Sequence, residues 1–378
     1  MFATMIRPCV NGGMRCRPYD ERMATSAQPQ HPTATDESAE SQGVKATPPP
    51  VRSMAFWKPI ILFTVMETVI VSLILVIFAW PLVNATPAGL PIGIVGPAVV
   101  TDAVEQAVDS QAPGVFSWTE FDSADTAVAA IGQREIYGAF VLSDTGLEVI
   151  TASAANVAVS QLLSQVGQQI SDATARSYGL TVLSPSVIDV APMPATDARG
   201  AGLSAAALPL VIAGIVAALL ATVRMRFYRQ RAIFVAKVSF VAGAAIAGIL
   251  QGLGILVGNW WLEWLAISVG IAAVGFVLVG LQALFKFPGI IVGILLFFII
   301  GNPISATALP VEFYPAPLGF IGQLLPLGSE ISLLRRISFF PDAPQFIQWI
   351  TLVGWTALGI ILMLIGVTLQ NKRSRAHT

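Results

Sequence analysis

Six long apolar stretches constrain this chain more than any other feature of its sequence. Each contains about the 20 apolar residues that a helix needs to cross about 30 Å of hydrocarbon. The chain is 55% hydrophobic and 11% charged, whereas soluble domains carry roughly 25% charged residues. The sequence therefore predicts an α-helical polytopic membrane protein with six transmembrane helices. The stretches lie at about residues 57–81, 203–223, 233–257, 262–284, 288–306 and 346–369.

The stretches are spaced as one plus five, with about 115 residues between the first and the second. We therefore predict a small extracytoplasmic α/β domain inserted between spans 1 and 2. The N-terminal region has no apolar period, and we expect it to be disordered. The predicted divisions are a disordered cytoplasmic tail at 1–53, transmembrane helix 1 at 54–84, the α/β domain at 85–200, a five-span bundle at 201–370 that includes a re-entrant outer segment at 302–345, and a cytoplasmic tail at 371–378.

Basic residues predict the orientation, because Lys and Arg near span ends are retained in the cytoplasm. With six spans, all of the basic clusters next to spans fall on one side. The stretch 85–200 has twelve acidic residues and only three basic ones. This predicts a plasma-membrane protein with cytoplasmic N- and C-termini, and the Ala-, Gly- and Val-rich spans suggest that the membrane is bacterial. The acidic excess is explained by solvation of an exposed domain or, as a second interpretation, by attraction of cations or a basic partner. The clusters contain Arg52, Lys58, Arg224, Arg226, Arg229, Arg231, Lys286, Lys372, Arg373 and Arg375.

Alternating periodicities within residues 85–200 indicate the secondary structure of the domain. Apolar residues at a period of two predict strands, and apolar residues at helical spacing predict helices. The order is strand, helix, strand, helix, strand, strand, helix, strand, which is typical of a small α/β domain. The predicted elements lie at 91–96, 98–111, 115–121, 123–133, 136–142, 146–152, 156–178 and 180–190.

Patterns that carry catalysis are absent from the sequence. There is no GxxxxGK[ST] loop for a nucleotide. His31 and His377, the two histidines, both lie in the predicted tails, which argues against a Ser-His-Asp or Cys-His site. Cys9 and Cys16 lack the spacing of a metal site. We therefore expect no enzyme activity, no catalytic residues, no metal, no cofactor and no nucleic-acid partner.

Glu67 is the ionisable residue that lies deepest in a predicted span. A carboxylate at the bilayer midplane costs several kcal/mol unless it is protonated or has a partner. One interpretation makes Glu67 part of a substrate path. The other is a neutral acid that forms a hydrogen bond with a Ser or Thr of a neighbouring helix.

The segment 302–345 is apolar for a loop and contains several prolines. Non-helical backbone at membrane depth must be satisfied by protein or water, so we expect this segment to re-enter the membrane with its helices broken. Arg335 and Arg336 either bind a lipid phosphate or substrate anion, or pair with Glu330 or Glu312. The residues predicted to line a substrate path are Glu67, Asn302, Pro303, Ser305, Pro310, Glu312, Pro326 and Arg335.

Four arginines lie within eight residues between spans 2 and 3. Cytoplasmic topology by itself explains such a cluster. A second interpretation is contact with a cytoplasmic partner or with anionic lipid headgroups. The residues are Arg224, Arg226, Arg229 and Arg231.

The layout resembles the membrane subunits of type 2 ABC exporters, and within them the YhgE/Pip-like (phage infection protein) group. The similarity covers about residues 55–370. One departure is the loop between spans 2 and 3, which is only about eight residues long where the family has a cytoplasmic coupling helix. The matching stretches are 90–95 (LPIGIV), 129–131 (AAI), 134–141 (REIYGAFV) and 301–305 (GNPIS), with Leu309, Pro310, Glu312, Tyr314, Pro315, Leu325, Pro326, Arg335, Phe339 and Phe340.

This resemblance implies the permease subunit of an exporter that moves a lipid or another hydrophobic substrate outward. Two copies, or two related chains, would pair in the bilayer, and a separate ATPase would supply the energy. The alternative is a non-transporting scaffold of a cell-envelope or secretion complex, which binds its partners through the outer domain. The proline-broken segment favours the first hypothesis, and the short inner loop favours the second.

Overall fold

The computed structural model describes residues 54–143, 146–178 and 184–376. The tail predicted at 1–53 lies outside the described residues, as do the last two residues of the tail predicted at 371–378. The described part is mostly helical. Its helices are α1 (Met54–Val83), α2 (Ala98–Gln111), α3 (Ala124–Gly132), α4 (Val157–Tyr178), α5 (Ala201–Arg224), α6 (Tyr228–Gly252), α7 (Trp260–Phe285), α8 (Phe287–Ile294), α9 (Gly301–Ile304), α10 (Leu318–Gln323), α11 (Pro326–Phe339) and α12 (Phe346–Ala376).

Six helical stretches are long and apolar enough to cross a membrane, as the sequence predicts. The fifth is composite, because a π-helical turn at Leu295–Ile300 joins α8 to α9. The last helix continues to Ala376, well into the predicted C-terminal tail. The spanning stretches are Phe56–Pro81, Ala201–Arg224, Tyr228–Gly252, Trp260–Phe285, Phe287–Ile304 and Phe346–Lys372.

A five-stranded sheet is built from residues that precede α5. The strand order is β2-β1-β3-β4-β5. β1 pairs in parallel with both β2 and β3, β3 and β4 form an antiparallel hairpin, and β4 pairs in parallel with β5. The strands are β1 (Leu90–Val95), β2 (Phe116–Phe121), β3 (Gly138–Ser143), β4 (Gly146–Thr151) and β5 (Ser186–Asp189).

The predicted alternation of strands and helices is present in this sheet domain, the name used below for residues 85–200. Most of the predicted strand and helix ends differ from the observed ends by one or two residues. The last extended segment, predicted at 180–190, contains the short strand β5, and its first residues lie outside the described part.

Two apolar clusters cover the sheet. One joins β1 and β3 to α2 and α4, through residues such as Ile92, Phe140 and Leu163. The other includes Ile131 of α3 and, from the far end of the chain, Phe340. Phe340 is only 2% exposed. Residues outside the sheet domain therefore complete its core.

The helical bundle is organised around α7. In the apolar 18-residue stretch of α7, 72% of the residues are buried, whereas 0% are buried in the corresponding stretch of α1. Glycines allow close contact between α7 and α12, since a Cβ atom on Gly359 would lie 2.4 Å from main-chain atoms of Phe276 and Val277. Small residues permit such backbone contact between helices in lipid.

The proline-rich segment, residues 302–345, contains short helices and no spanning one. α9 ends at Ile304, a single 3-10 turn follows at Val311–Phe313, and α10 and α11 come next. Pro326 occupies the first turn of α11, where its missing N–H would be unpaired in any case. A Cβ atom on Gly322 would lie 1.6 Å from the carbonyl oxygen of Ile304, so α10 folds back tightly on α9.

We predict that Gly359→Leu destabilises the bundle by about 3 kcal/mol, the upper end of the usual cost of overpacking, because the new side chain meets main-chain atoms of α7. Gly354→Leu is the matched control on the same helix, since a Cβ atom there has nothing within 4 Å. The measurement is the thermal unfolding midpoint of each purified variant in one detergent. Equal midpoints for the two variants would contradict the close packing of α7 and α12.

Candidate functional site

Charged side chains gather where the sheet domain meets the proline-rich segment. Arg134 and Tyr137 come from the connection between α3 and β3, Glu312 comes from the turn at Val311–Phe313, and Arg335 and Arg336 come from the last turns of α11. We call these five residues the junction. Arg134 has a φ of 60°, a backbone conformation that is uncommon for residues other than glycine.

A side-chain hydrogen bond spans the junction. The hydroxyl of Tyr137 donates to Oε2 of Glu312 at 3.0 Å. The main chain supports this contact, because the N–H of Ala88 donates to the carbonyl oxygen of Glu312 at 3.1 Å. Burial first, and then the nearby Glu312 carboxylate, raise the pKa of Tyr137. Its hydroxyl therefore stays protonated and remains a donor.

Arg335 bridges the two regions through main-chain oxygens. Its Nη1 donates to the carbonyl of Ala155 at 3.2 Å, and its Nη2 donates to the carbonyl of Thr307 at 3.3 Å. The same loop is bound from two further sides. The side chain of Asn156 donates to the carbonyl oxygen of Ala308 at 3.2 Å. The hydroxyl of Ser204 donates to the carbonyl oxygen of Thr307 at 2.9 Å.

The junction carries an excess of positive charge. The guanidinium of Arg134 lies 5.4 Å from the centre of the Phe340 ring, and its Nη1 is buried without a hydrogen-bond partner. Burial lowers the pKa of Arg134. Burial and, next, repulsion from Arg134 lower the pKa of Arg335 and of Arg336 to about 10. All three remain cationic at neutral pH, and Glu312 is the one carboxylate in the junction.

Two cavities adjoin Arg335. The smaller, of ≈ 30 Å³, lies among Arg134, Tyr137, Gln323 and Arg335, and it has room for a water molecule. The larger, of ≈ 310 Å³, lies between the start of α4, the start of α5 and the end of α11. Its volume is at the lower end of the range for small-molecule sites.

The structure brings together only part of the predicted substrate path. Pro310 and Arg335 line the small cavity, and Glu312 is bonded beside them. Asn302, Pro303 and Ser305 lie at the end of the fifth span, where the Ser305 hydroxyl donates to the carbonyl of Asn302 at 2.7 Å.

Glu67 and Pro326 lie apart from the junction. Glu67 is exposed on α1, among side chains that are also exposed. Within the described residues it forms no hydrogen bond to a Ser or Thr, so that interpretation is not seen in this chain. Pro326 is buried at the start of α11, at the opposite end of that helix from Arg335.

Within the described residues, neither Arg335 nor Arg336 pairs with Glu330 or Glu312, so the alternative pairing predicted from the sequence is not formed. Arg336 donates to the carbonyl of Pro344 at 2.9 Å, and Arg335 donates to the two carbonyls given above. The Glu330 carboxylate instead occupies the space beside Gly270 of α7, and its Oε1 has no hydrogen-bond partner. Glu330 cannot reach either arginine because residues five or six apart on α11 project from different faces of a helix with 3.6 residues per turn.

The four arginines between spans 2 and 3 differ in their surroundings. Arg231 closes the turn between α5 and α6, because it donates to the carbonyls of Met225 and Thr222 at 3.0 and 3.3 Å and to Oε1 of Gln282. Arg224, Arg226 and Arg229 are exposed. A partner would therefore meet these three residues, while Arg231 holds the turn together.

Sequence reasoning assigned no role to Arg134, Tyr137 or Arg199. One signal was available, because Arg134 and Arg199 are two of only three basic residues in the acidic stretch 85–200.

A comparison of this chain with protein-family models, with curated proteins and with solved structures finds no match.

We predict that Tyr137→Phe destabilises the protein by about 1.5–3 kcal/mol, because it removes a hydrogen bond to a carboxylate. Tyr314→Phe is the matched control, since Tyr314 is also buried and its hydroxyl forms no hydrogen bond within the described residues. Thermal unfolding midpoints in detergent measure both. If Tyr314→Phe lowers the midpoint as much as Tyr137→Phe, the Glu312 contact does not stabilise the junction.

Proposed function

We propose that this chain is the membrane permease subunit of an ABC-type exporter, which moves a lipid or another hydrophobic substrate outward with energy from a separate ATPase. The observation that carries the proposal is the position of the proline-rich segment. It leads from the fifth span to the sixth, packs through α11 against α7, and is bonded to the sheet domain by the junction. Movement of the spans would thus reach the sheet domain directly, whereas a simple membrane anchor has no need of this connection.

The proposed orientation places both termini in the cytoplasm of a bacterium and the sheet domain outside the plasma membrane. The exposed arginines of the turn between α5 and α6 support it, because basic residues at span ends are retained inside. The same orientation puts the proline-rich segment and the junction on the outer side, where an exported substrate would leave.

Two copies, or this chain and a related one, would form the transporter. Support comes from α1. The apolar 18-residue stretch of this helix has no buried residues, although α1 carries Glu67 at mid-helix. A carboxylate facing lipid is costly, and a second membrane subunit would cover it. Glu67 would then lie at the subunit interface of the substrate path, with the proline-rich segment as its outer exit.

The alternative is a non-transporting scaffold of a cell-envelope or secretion complex. The turn between α5 and α6 favours it, since α5 ends at Arg224 and α6 begins at Tyr228. Three intervening residues cannot form the coupling helix of the exporters that the sequence resembles. An ATPase would have to bind through exposed side chains at the helix ends.

Co-purification of the full chain from its native membranes in mild detergent tests the proposal. We expect a stoichiometric ATPase, and we expect the triple variant Arg224→Ala/Arg226→Ala/Arg229→Ala to lose at least about nine-tenths of it. Lys372→Ala, a charge change at the end of α12 on the same predicted side, is the control and retains the ATPase. A stable envelope partner with no ATPase would support the scaffold instead.

Glu67→Gln provides a second test, in vesicles that contain the permease and its ATPase. We expect outward lipid movement to fall about tenfold, because the substitution removes the one ionisable group of span 1 that lies at mid-depth. The yield and the unfolding midpoint should not change. Unchanged transport would remove Glu67 from the substrate path.

A further inference from the structure

The larger cavity beside Arg335 has the charge and the shape of an anion site. Of its lining side chains, Arg199 and Arg335 are charged, and both are cationic. The nearest carboxylate in sequence is Asp197, and its two oxygens accept from the N–H groups of Ala201 and Gly202 at 2.9 Å. That carboxylate is therefore engaged at the start of α5, and within the described residues it forms no ion pair with Arg199.

A helix terminus adds to this positive charge. Asn156, Val157 and Ala158 line the cavity at the start of α4, a helix of 22 residues. The N-terminal end of a helix carries about half a positive charge. The side chain of Asn156 caps α4, because its Oδ1 accepts from the N–H groups of Ala158 and Val159 at 2.9 and 3.2 Å.

Both arginines retain donors for a ligand. Arg335 uses one N–H from each terminal nitrogen for the carbonyls of Ala155 and Thr307, and a guanidinium has five N–H donors in all. Arg199 is exposed and forms no hydrogen bond within the described part of the chain. Arginine donors match the oxygens of a phosphate group in geometry as well as in charge.

Apolar side chains complete the other wall of the cavity. Met193, Leu203 and Phe339 line it. Leu203 lies in the first turn of α5, at the end of a candidate span. The loop before α5 is bonded to the turn after α6, since the hydroxyl of Thr196 donates to the carbonyl of Gly254 at 2.9 Å. Three tryptophans at the start of α7 follow that turn, and tryptophans mark the membrane–water interface.

The geometry points to a binding site for the phosphate group of a membrane lipid in this cavity. Arg199 and Arg335 hold the phosphate at the start of α4, and Met193, Leu203 and Phe339 contact the first carbons of the chains. A soluble phosphate ester has the same anionic group, but it lacks the chains that would use the apolar wall. As an assignment of substrate class, this inference rests on the proposed function of lipid export.

Calorimetric titration of the full chain in a non-ionic detergent tests the inference, and it requires neither ATP nor an ATPase. Dioctanoyl phosphatidate is the probe, and dioctanoylglycerol and glycerol 3-phosphate are the comparison ligands. We expect the phosphatidate to bind at least tenfold more tightly than either. Equal binding of dioctanoylglycerol would overturn phosphate recognition, and equal binding of glycerol 3-phosphate would overturn the assignment to a lipid.

Arg199→Gln locates the site, because Arg199 is exposed and lies outside the junction, so its replacement leaves the junction contacts in place. We expect phosphatidate to bind it about 10-fold to 100-fold more weakly, the loss that corresponds to one charge-assisted hydrogen bond. Arg176→Gln is the matched control in the last turn of α4, about 30 Å along that helix from the cavity, and it binds as the parent chain does.

Arg335→Lys is the second variant. It keeps the positive charge and removes the planar guanidinium with its N–H donors. It should also weaken phosphatidate binding, and its unfolding midpoint shows whether the junction is intact. If that variant does not fold, Arg199→Gln decides the question. Unchanged phosphatidate binding by Arg199→Gln overturns the site, even if the exporter is shown to transport lipid.

Discussion

The guanidinium of Arg335 holds the sheet domain to the proline-rich segment. Its two terminal nitrogens donate to carbonyls that belong to different regions, one just before α4 and one in the loop after α9. Because a side-chain substitution at Ala155 or Thr307 leaves its main-chain carbonyl in place, substitution of Arg335 is the direct way to remove these two hydrogen bonds. Phe340, which follows α11, enters the core of the sheet domain and fixes the end of the same helix.

The junction is a partly buried cluster with an excess of positive charge. It contains three arginines and one carboxylate, and that carboxylate accepts from Tyr137. Buried cations without counter-charges are costly, and the lowered pKa of Arg335 and of Arg336 reflects this cost. An anionic ligand would offset part of it. This cost falls where the sheet domain, the start of α5 and the end of α11 meet, beside the cavity that we propose as a lipid phosphate site.

The bundle itself depends on close helix contact around α7. In lipid the hydrophobic effect does not drive helices together, so packing and small residues must do so. Gly280, Gly359 and Gly366 serve this purpose between α7 and α12. Glu263 at the start of α7 is fully buried, and it accepts from Gly258, from Gln251 and from the hydroxyl of Ser338 at the end of α11. The rigid core of the bundle and the proline-rich segment are thus joined by both apolar and polar contacts.

The sequence by itself determined the six apolar helices and nearly all the strands and helices of the sheet domain, because local hydropathy and periodicity specify them. It also indicated the proline-rich segment, since its prolines prevent a continuous helix. Only the tertiary structure decided which of those residues meet. Tyr137 and Glu312 are 175 residues apart, and Arg335 and Ala155 are 180 residues apart. No local pattern encodes contacts over such separations.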